Sequence, residues 1–243
     1  MDRTSLPDRR VPAGRPGVSW GIGDFLWVYF GGILASLVLL EIGLGITGDT
    51  GSHTSTITDA FGFLGQFGGW LGLMVLVSRV KGRGSLRADF GLVVRAREAW
   101  ILVAGVLLEI VLGIVNSPIV HLVNQRQDVV KELDQATGIH LALLAIVAGA
   151  VAPVCEELLF RGLLLRSLQR RVSPTAAVVI SALVFALAHP MLSPTWGTFA
   201  IVPALFGLGA VSGAAAVERG DLSASILLHV GFNLLTTVAA LHK

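Results

Sequence analysis

Long apolar runs alternate with short polar breaks along this chain. The runs cover about residues 22–46, 59–78, 99–120, 139–168, 175–189, 199–217 and 222–241. Several approach the roughly 20 residues that a helix needs to cross a bilayer. The segment before the first run and the breaks between runs carry most of the charged residues and six of the nine prolines. The expected fold is therefore all-α, a polytopic membrane helical bundle of about seven transmembrane helices. Because the first and fourth runs could each be broken, the range is six to eight. Gly65/Gly69 and Gly68/Gly72 in the second run have the small-xxx-small spacing of closely packed membrane helices. Val172-Ser173-Pro174 predicts a tight turn, since proline disfavours helix at the residue before it.

Composition supports a lipid-facing surface. Charged residues are 14% of the 243, where a water-soluble domain would carry about a quarter. Mean hydropathy is +0.77. The net charge of +2 matters less than where the cations sit. Arg3, Arg9, Arg10 and Arg15 precede the first run, Arg79, Lys81, Arg83, Arg87, Arg95 and Arg97 follow the second, and Arg170-Arg171 follow the fourth. The loop 48–58 has no Lys or Arg, and 121–138 has only Arg126 and Lys131. By the positive-inside rule the N-terminus is cytoplasmic, in a multi-pass protein expected in the plasma membrane.

Three regions follow: a polar cytoplasmic tail (1–19), read as disordered; N-terminal transmembrane helices (20–138); and a transmembrane core (139–243) that holds the candidate chemistry. The first run is too long for the core of a cleavable signal and reads as an uncleaved span. The single cysteine, Cys155, excludes an intrachain disulfide and reads as a small buried thiol.

Ionisable groups are costly in hydrocarbon and mark function by default. Three constellations meet that description. In Glu156-Glu157-Leu158-Leu159-Phe160-Arg161, Glu157 and Arg161 are one turn apart and can pair. Glu156 points about 100° away, without a local partner. Phe185 and His189 are also one turn apart, as are His229 and Asn233. Glu156 lies 17 residues before Ser173 and His189 lies 16 after it. At 1.5 Å per residue each is about 25 Å from the turn, so the two reach matching depth on antiparallel helices. A carboxylate and an imidazole at one depth can share a water and draw a proton from it. A second histidine and an amide can donate to a developing oxyanion.

These three motifs, in order and on separate apolar runs, resemble those of the CPBP family, EExxxR, FxxxH and HxxxN/D. That family of intramembrane proteases includes the CAAX prenyl endopeptidases and the bacteriocin-processing or self-immunity (Abi) proteins. The likeness covers about residues 140–241. It implies an intramembrane glutamic endopeptidase acting on membrane-embedded or lipidated, CAAX-type substrates at the bilayer, with no nucleic-acid partner. By the same likeness Glu156 and His189 activate water, His229 and Asn233 form the oxyanion hole, and Glu157 and Arg161 support the site. No cofactor is expected, the alternative being a zinc ion held by Glu156, His189 and His229. HExxH, the helical zinc signature, is absent from the sequence.

Other readings have less support. A non-catalytic immunity or scaffold protein of the same fold need not keep all four of Glu156, His189, His229 and Asn233. A transporter using Glu41, Glu109 and Glu156 as a proton path lacks the internal repeat such folds show. Gly21-Ile22-Gly23-Asp24 matches the GxGD of aspartyl intramembrane proteases, but no later span supplies a second aspartate, so Asp24 reads as interfacial. Phe185 reads as core packing that positions His189.

Overall fold

The computed structural model describes residues 17–50, 54–124 and 128–242. The arginines of the N-terminal tail, together with His53 and Arg126, lie outside them. Ten helices and no strand are found among the described residues: α1 (Ile22–Thr47), α2 (Thr56–Lys81), α3 (Leu86–Phe90), α4 (Ile101–Val123), α5 (Asp128–Gln135), α6 (Gly138–Leu168), α7 (Pro174–Leu192), α8 (Trp196–Ala200), α9 (Val202–Arg219) and α10 (Ser223–Leu241). Six of them, α1, α2, α4, α6, α7 and α10, are long and apolar enough to span a membrane. The seventh predicted span is α9. It runs back between α7 and α10, but it is rich in small residues and ends on Glu218-Arg219. The first run proves unbroken. The polar segments after the second and third runs each hold a short helix, α3 and α5.

Exposed Leu, Ile, Val, Trp and Phe side chains cover the outside of α1, α4 and α7, as lipid contact requires. Inside, glycine sets the helix spacing. A Cβ on Gly65 would lie 2.5 Å from the Ala35 carbonyl oxygen, and one on Gly69 would lie 3.1 Å from Ala35 Cβ, so this pair seats α2 on α1. Gly68 and Gly72 meet nothing on α1. Between α4 and α10 the approach is closer. A Cβ on Gly105 would be 2.3 Å from the Leu228 carbonyl oxygen, and one on Gly231 would be 2.2 Å from that of Leu102.

Polar links fasten both ends of the bundle. At the arginine-rich end Lys81 pairs with Asp24 at 2.7 Å, and the Ser19 N–H donates to the Lys81 carbonyl at 2.8 Å. Arg170 donates to the Trp20 carbonyl, with its guanidinium over the Trp20 ring. Arg95 grips Asp221 through both terminal nitrogens, at 3.0 and 2.5 Å. Glu98 takes Arg219 at 3.1 Å and the Ser223 hydroxyl at 2.7 Å. These contacts hold the start of α10, and so the depth of His229, against the 91–98 segment. Burial alone would raise the Asp221 carboxyl; the Arg95 guanidinium, the Ser223 N–H and nearby Arg219 more than offset it and hold it below the usual carboxylate range. At the opposite end Asp49 is held at about 2 by hydrogen bonds from Thr58, Ser55 and Thr47. There His140, on the first turn of α6, meets Asp59 of α2 at 2.7 Å.

Candidate active site

The site is built on α6, which departs from regular α geometry around the acidic pair. Residues 147–151 and 157–165 form wide, π-type turns. Such turns are rare and cluster at functional sites. The turn after Glu156 still keeps Glu157 and Arg161 on one face: Arg161 Nη1 lies 3.3 Å from Glu157 Oε1, and both side chains are fully enclosed. The angles do not make this a hydrogen bond, and Nε, Nη1 and Nη2 of Arg161 have no hydrogen-bond acceptor. The guanidinium instead lies over the Phe185 ring, 4.3 Å from its centroid. The predicted Glu157–Arg161 pair is thus present, with an aromatic floor beneath it.

His229 joins what the sequence had separated. It is 3% exposed. Its Nδ1 is 2.9 Å from Glu157 Oε1, and its Nε2 is 3.7 Å from Glu156 Oε2. With an ionised Glu157, which can only accept, Nδ1 carries the proton. The ring then presents Nε2 to Glu156. Glu157 therefore does more than pair with Arg161: it fixes the orientation of a candidate catalytic histidine. A carboxylate in this role sets both the tautomer and the rotation of an imidazole.

His189 reaches the same region from α7. Its Nδ1 lies 2.9 Å from the Phe185 carbonyl, which can only accept, so the proton is on Nδ1 and the Nε2 lone pair is free. Pro174 opens α7 after an N-cap by Ser173, as the turn motif predicts. The helix then passes through His189-Pro190 to Leu192 rather than stopping at the histidine. Glu156 and His189 make no direct ion pair with each other; two groups that share a water need none. Phe185, which is fully buried, ties the histidines together. Its ring centroid is 4.9 Å from that of His189, 5.6 Å from that of His229 and 5.2 Å from that of Phe160, all edge-on.

Asn233 lies one turn beyond His229 on α10. Its Nδ2 donates to the Ala148 carbonyl at 2.8 Å, within the first wide turn of α6. One amide hydrogen is used there, and the second is available. Glu109 stands elsewhere, accepting from Thr236 at 2.7 Å as an α4–α10 link, and Glu41 is on the exposed face of α1. Asp24 caps the start of α1 and pairs with Lys81, which matches its interfacial reading. Cys155 is buried.

Among the described residues no group of three or more His, Cys, Asp or Glu side chains is arranged to hold an ion. No step below is routed through zinc.

Sequence reasoning missed the bond between Glu157 and His229, 72 positions apart. It also passed over Tyr29, the chain's single tyrosine, which sits well inside the first apolar run. A lone hydroxyl-bearing ring among Phe25, Trp27 and Phe30 was the available signal.

A helical membrane bundle with a buried glutamate–histidine–arginine cluster is what the fold and site define. Residues 138–235 match the family described as type II CAAX prenyl endopeptidase Rce1-like. That stretch, less than half of the chain, contains all three motifs, so this part of an integral membrane protein is similar to the CAAX-protease family. No curated protein and no solved structure matches the chain.

Proposed function

We propose that this protein is an intramembrane glutamic endopeptidase that cleaves peptide bonds in membrane-associated, prenylated CAAX-type substrates. The observation that carries the reading is the placement of His229 between Glu156 and Glu157, beneath the Phe185 ring that also supports His189. In this reading Glu156, assisted by the free Nε2 of His189, takes a proton from a water. The water oxygen attacks the scissile carbonyl carbon. Oriented by Glu157, His229 enters the reaction as the imidazolium and donates from Nε2 without giving up that proton, and the second Asn233 amide hydrogen joins it at the oxyanion. Donors already in place need no reorganisation as charge develops, which is where such sites gain most. The C–N bond then breaks, and the proton held by Glu156 passes to the leaving amine.

The arginine-rich end of the bundle is assigned to the cytoplasm, with the N-terminus on that side and the plasma membrane as the location. The reaction is assigned to the protein groups alone. The test uses purified protein in nanodiscs with farnesylated CAAX peptides and transmembrane peptides, the products read by mass spectrometry. Cleavage by wild type, unchanged by chelator and lost in Glu156→Gln, is expected. Full activity in Glu156→Gln overturns the glutamate mechanism. Activity lost with chelator and restored by zinc overturns the metal-free assignment. A wild type that binds the peptides but never cleaves them makes this an immunity or scaffold protein of the same fold.

A further inference from the structure

Tyr29 lies on α1, outside the stretch that matches the protease family, and is 5% exposed. It is held with unusual care. Trp70 Nε1 donates to its backbone carbonyl at 3.1 Å, and the two rings stack with centroids 5.9 Å apart. The Trp70 ring comes so near that a Cβ on Gly32 would lie 2.0 Å from it. Phe25 stacks on the other side at 5.9 Å, and the Phe160 ring meets Tyr29 edge-on at 6.3 Å.

Despite this, the Tyr29 hydroxyl has no hydrogen-bond partner among the described residues. A buried, unsatisfied hydroxyl is destabilising, and such a group in a native fold calls for an explanation. Its surroundings supply one. Phe160 is one turn after Glu156 on α6 and packs edge-on against Phe185, the ring that touches both histidines. A rigidly placed donor thus stands beside the site with nothing to donate to.

We infer that the partner arrives with the substrate: Tyr29 O–H donates to the scissile carbonyl oxygen as it becomes an oxyanion, a third donor beside His229 and Asn233. No bond to Tyr29 forms and its proton is not transferred. The role goes to α1, which the family match does not reach. It rests on the proposed function, because it presupposes attack at a carbonyl near Glu156. Phenylalanine would fill the same aromatic box at no polar cost, so a role in packing alone does not account for the hydroxyl.

The test compares wild type, Tyr29→Phe and Glu156→Gln in nanodiscs, using a farnesylated CAAX peptide and its phosphonamidate analogue, a stable mimic of the tetrahedral oxyanion. Removing one oxyanion donor costs about 100-fold in kcat in other hydrolases. Tyr29→Phe is expected to lose at least tenfold in kcat at unchanged KM, and to bind the phosphonamidate more weakly by the same factor, while its melting temperature holds or rises. Because the chain has one tyrosine, biosynthetic 3-fluorotyrosine labels this position alone. Its 19F resonance should move on adding the phosphonamidate and stay still with the cleaved peptide product. Wild-type kcat and phosphonamidate affinity in Tyr29→Phe, or a 19F signal indifferent to the analogue, overturns the inference even if Tyr29→Phe folds poorly. If Glu156→Gln remains active, or wild type cleaves no peptide, the reading beneath it falls as well.

Discussion

His229 turns one nitrogen to each of two adjacent glutamates, with Nδ1 2.9 Å from Glu157 and Nε2 3.7 Å from Glu156. Neighbours on one helix, which cannot share a face, are joined through a third residue 72 positions later. If Glu157 orients His229, Glu157→Gln should leave the fold standing but permit the wrong tautomer, because an amide can donate as well as accept. The expected loss is about 100-fold in kcat with KM little changed, measured on a farnesylated peptide. A variant as active as wild type would reduce Glu157 to the partner of Arg161.

Arg161 gives a stability prediction. Its guanidinium is fully enclosed, with Glu157 as its one ion-pair partner and Phe185 beneath it. Removing one member of a buried pair leaves an unpaired charge, at a cost of about 3–5 kcal/mol. Glu157→Ala and Glu157→Gln should therefore both lower the melting temperature in detergent, Glu157→Ala further because it also leaves a cavity. The double variant Glu157→Ala/Arg161→Met should recover a large part of the loss, since it removes both charges. A double variant no more stable than Glu157→Ala would show that the pair does not act as a unit.

Close packing of α4 on α10 predicts sensitivity to a single methyl group. Gly231 sits between His229 and Asn233, and an added Cβ would meet the Leu102 carbonyl oxygen at 2.2 Å. Backbone cannot yield as a flexible side chain does. Gly231→Ala should destabilise by about 1–3 kcal/mol, the range for overpacking, and displace both site residues together. Gly113 on the same α4 has nothing within 4 Å of its Cβ position, so Gly113→Ala should be neutral in melting temperature and activity. Equal behaviour of the two variants would contradict the packing described.

The acidic links at the two ends predict a pH dependence. Both Asp49 and Asp221 titrate below their ordinary value in the folded state, Asp49 at about 2. Their unfolded values are about 3.9. A depressed carboxyl stabilises above its unfolded pKa and loses that contribution as pH falls through its folded one. Thermal stability should be flat from about pH 7 to 5 and decline below about pH 4. In Asp221→Asn the decline should be shallower, because one of the two groups is gone. An identical decline in that variant would remove Asp221 from the account.

Much of this architecture was legible because lipid simplifies the problem. A run such as 22–46 has to be a helix, since nothing else satisfies its backbone in hydrocarbon. Charge in the loops then ordered the ends, and Ser173-Pro174 placed a turn. The i, i+4 spacing of Glu157 and Arg161 predicted their pairing correctly. Helix periodicity could not show that His229 would reach both glutamates, because that depends on how α10 is rotated against α6. The rotation is set by the Gly105–Gly231 approach and by the Arg95–Asp221 grip, long-range contacts with no local signature. The wide turns of α6 were equally hidden, as residues 157–165 read like any apolar helix.

The central claim is that Glu156 is the base. Its most direct measurement is the single-turnover rate of cleavage of a farnesylated CAAX peptide by wild type and Glu156→Gln, each in nanodiscs and each checked for an unchanged melting temperature. The account predicts that Glu156→Gln binds the peptide as wild type does and cleaves it at least 1,000-fold more slowly, an estimate on the order of the loss from general-base catalysis. A folded Glu156→Gln protein that cleaves at the wild-type rate would contradict it.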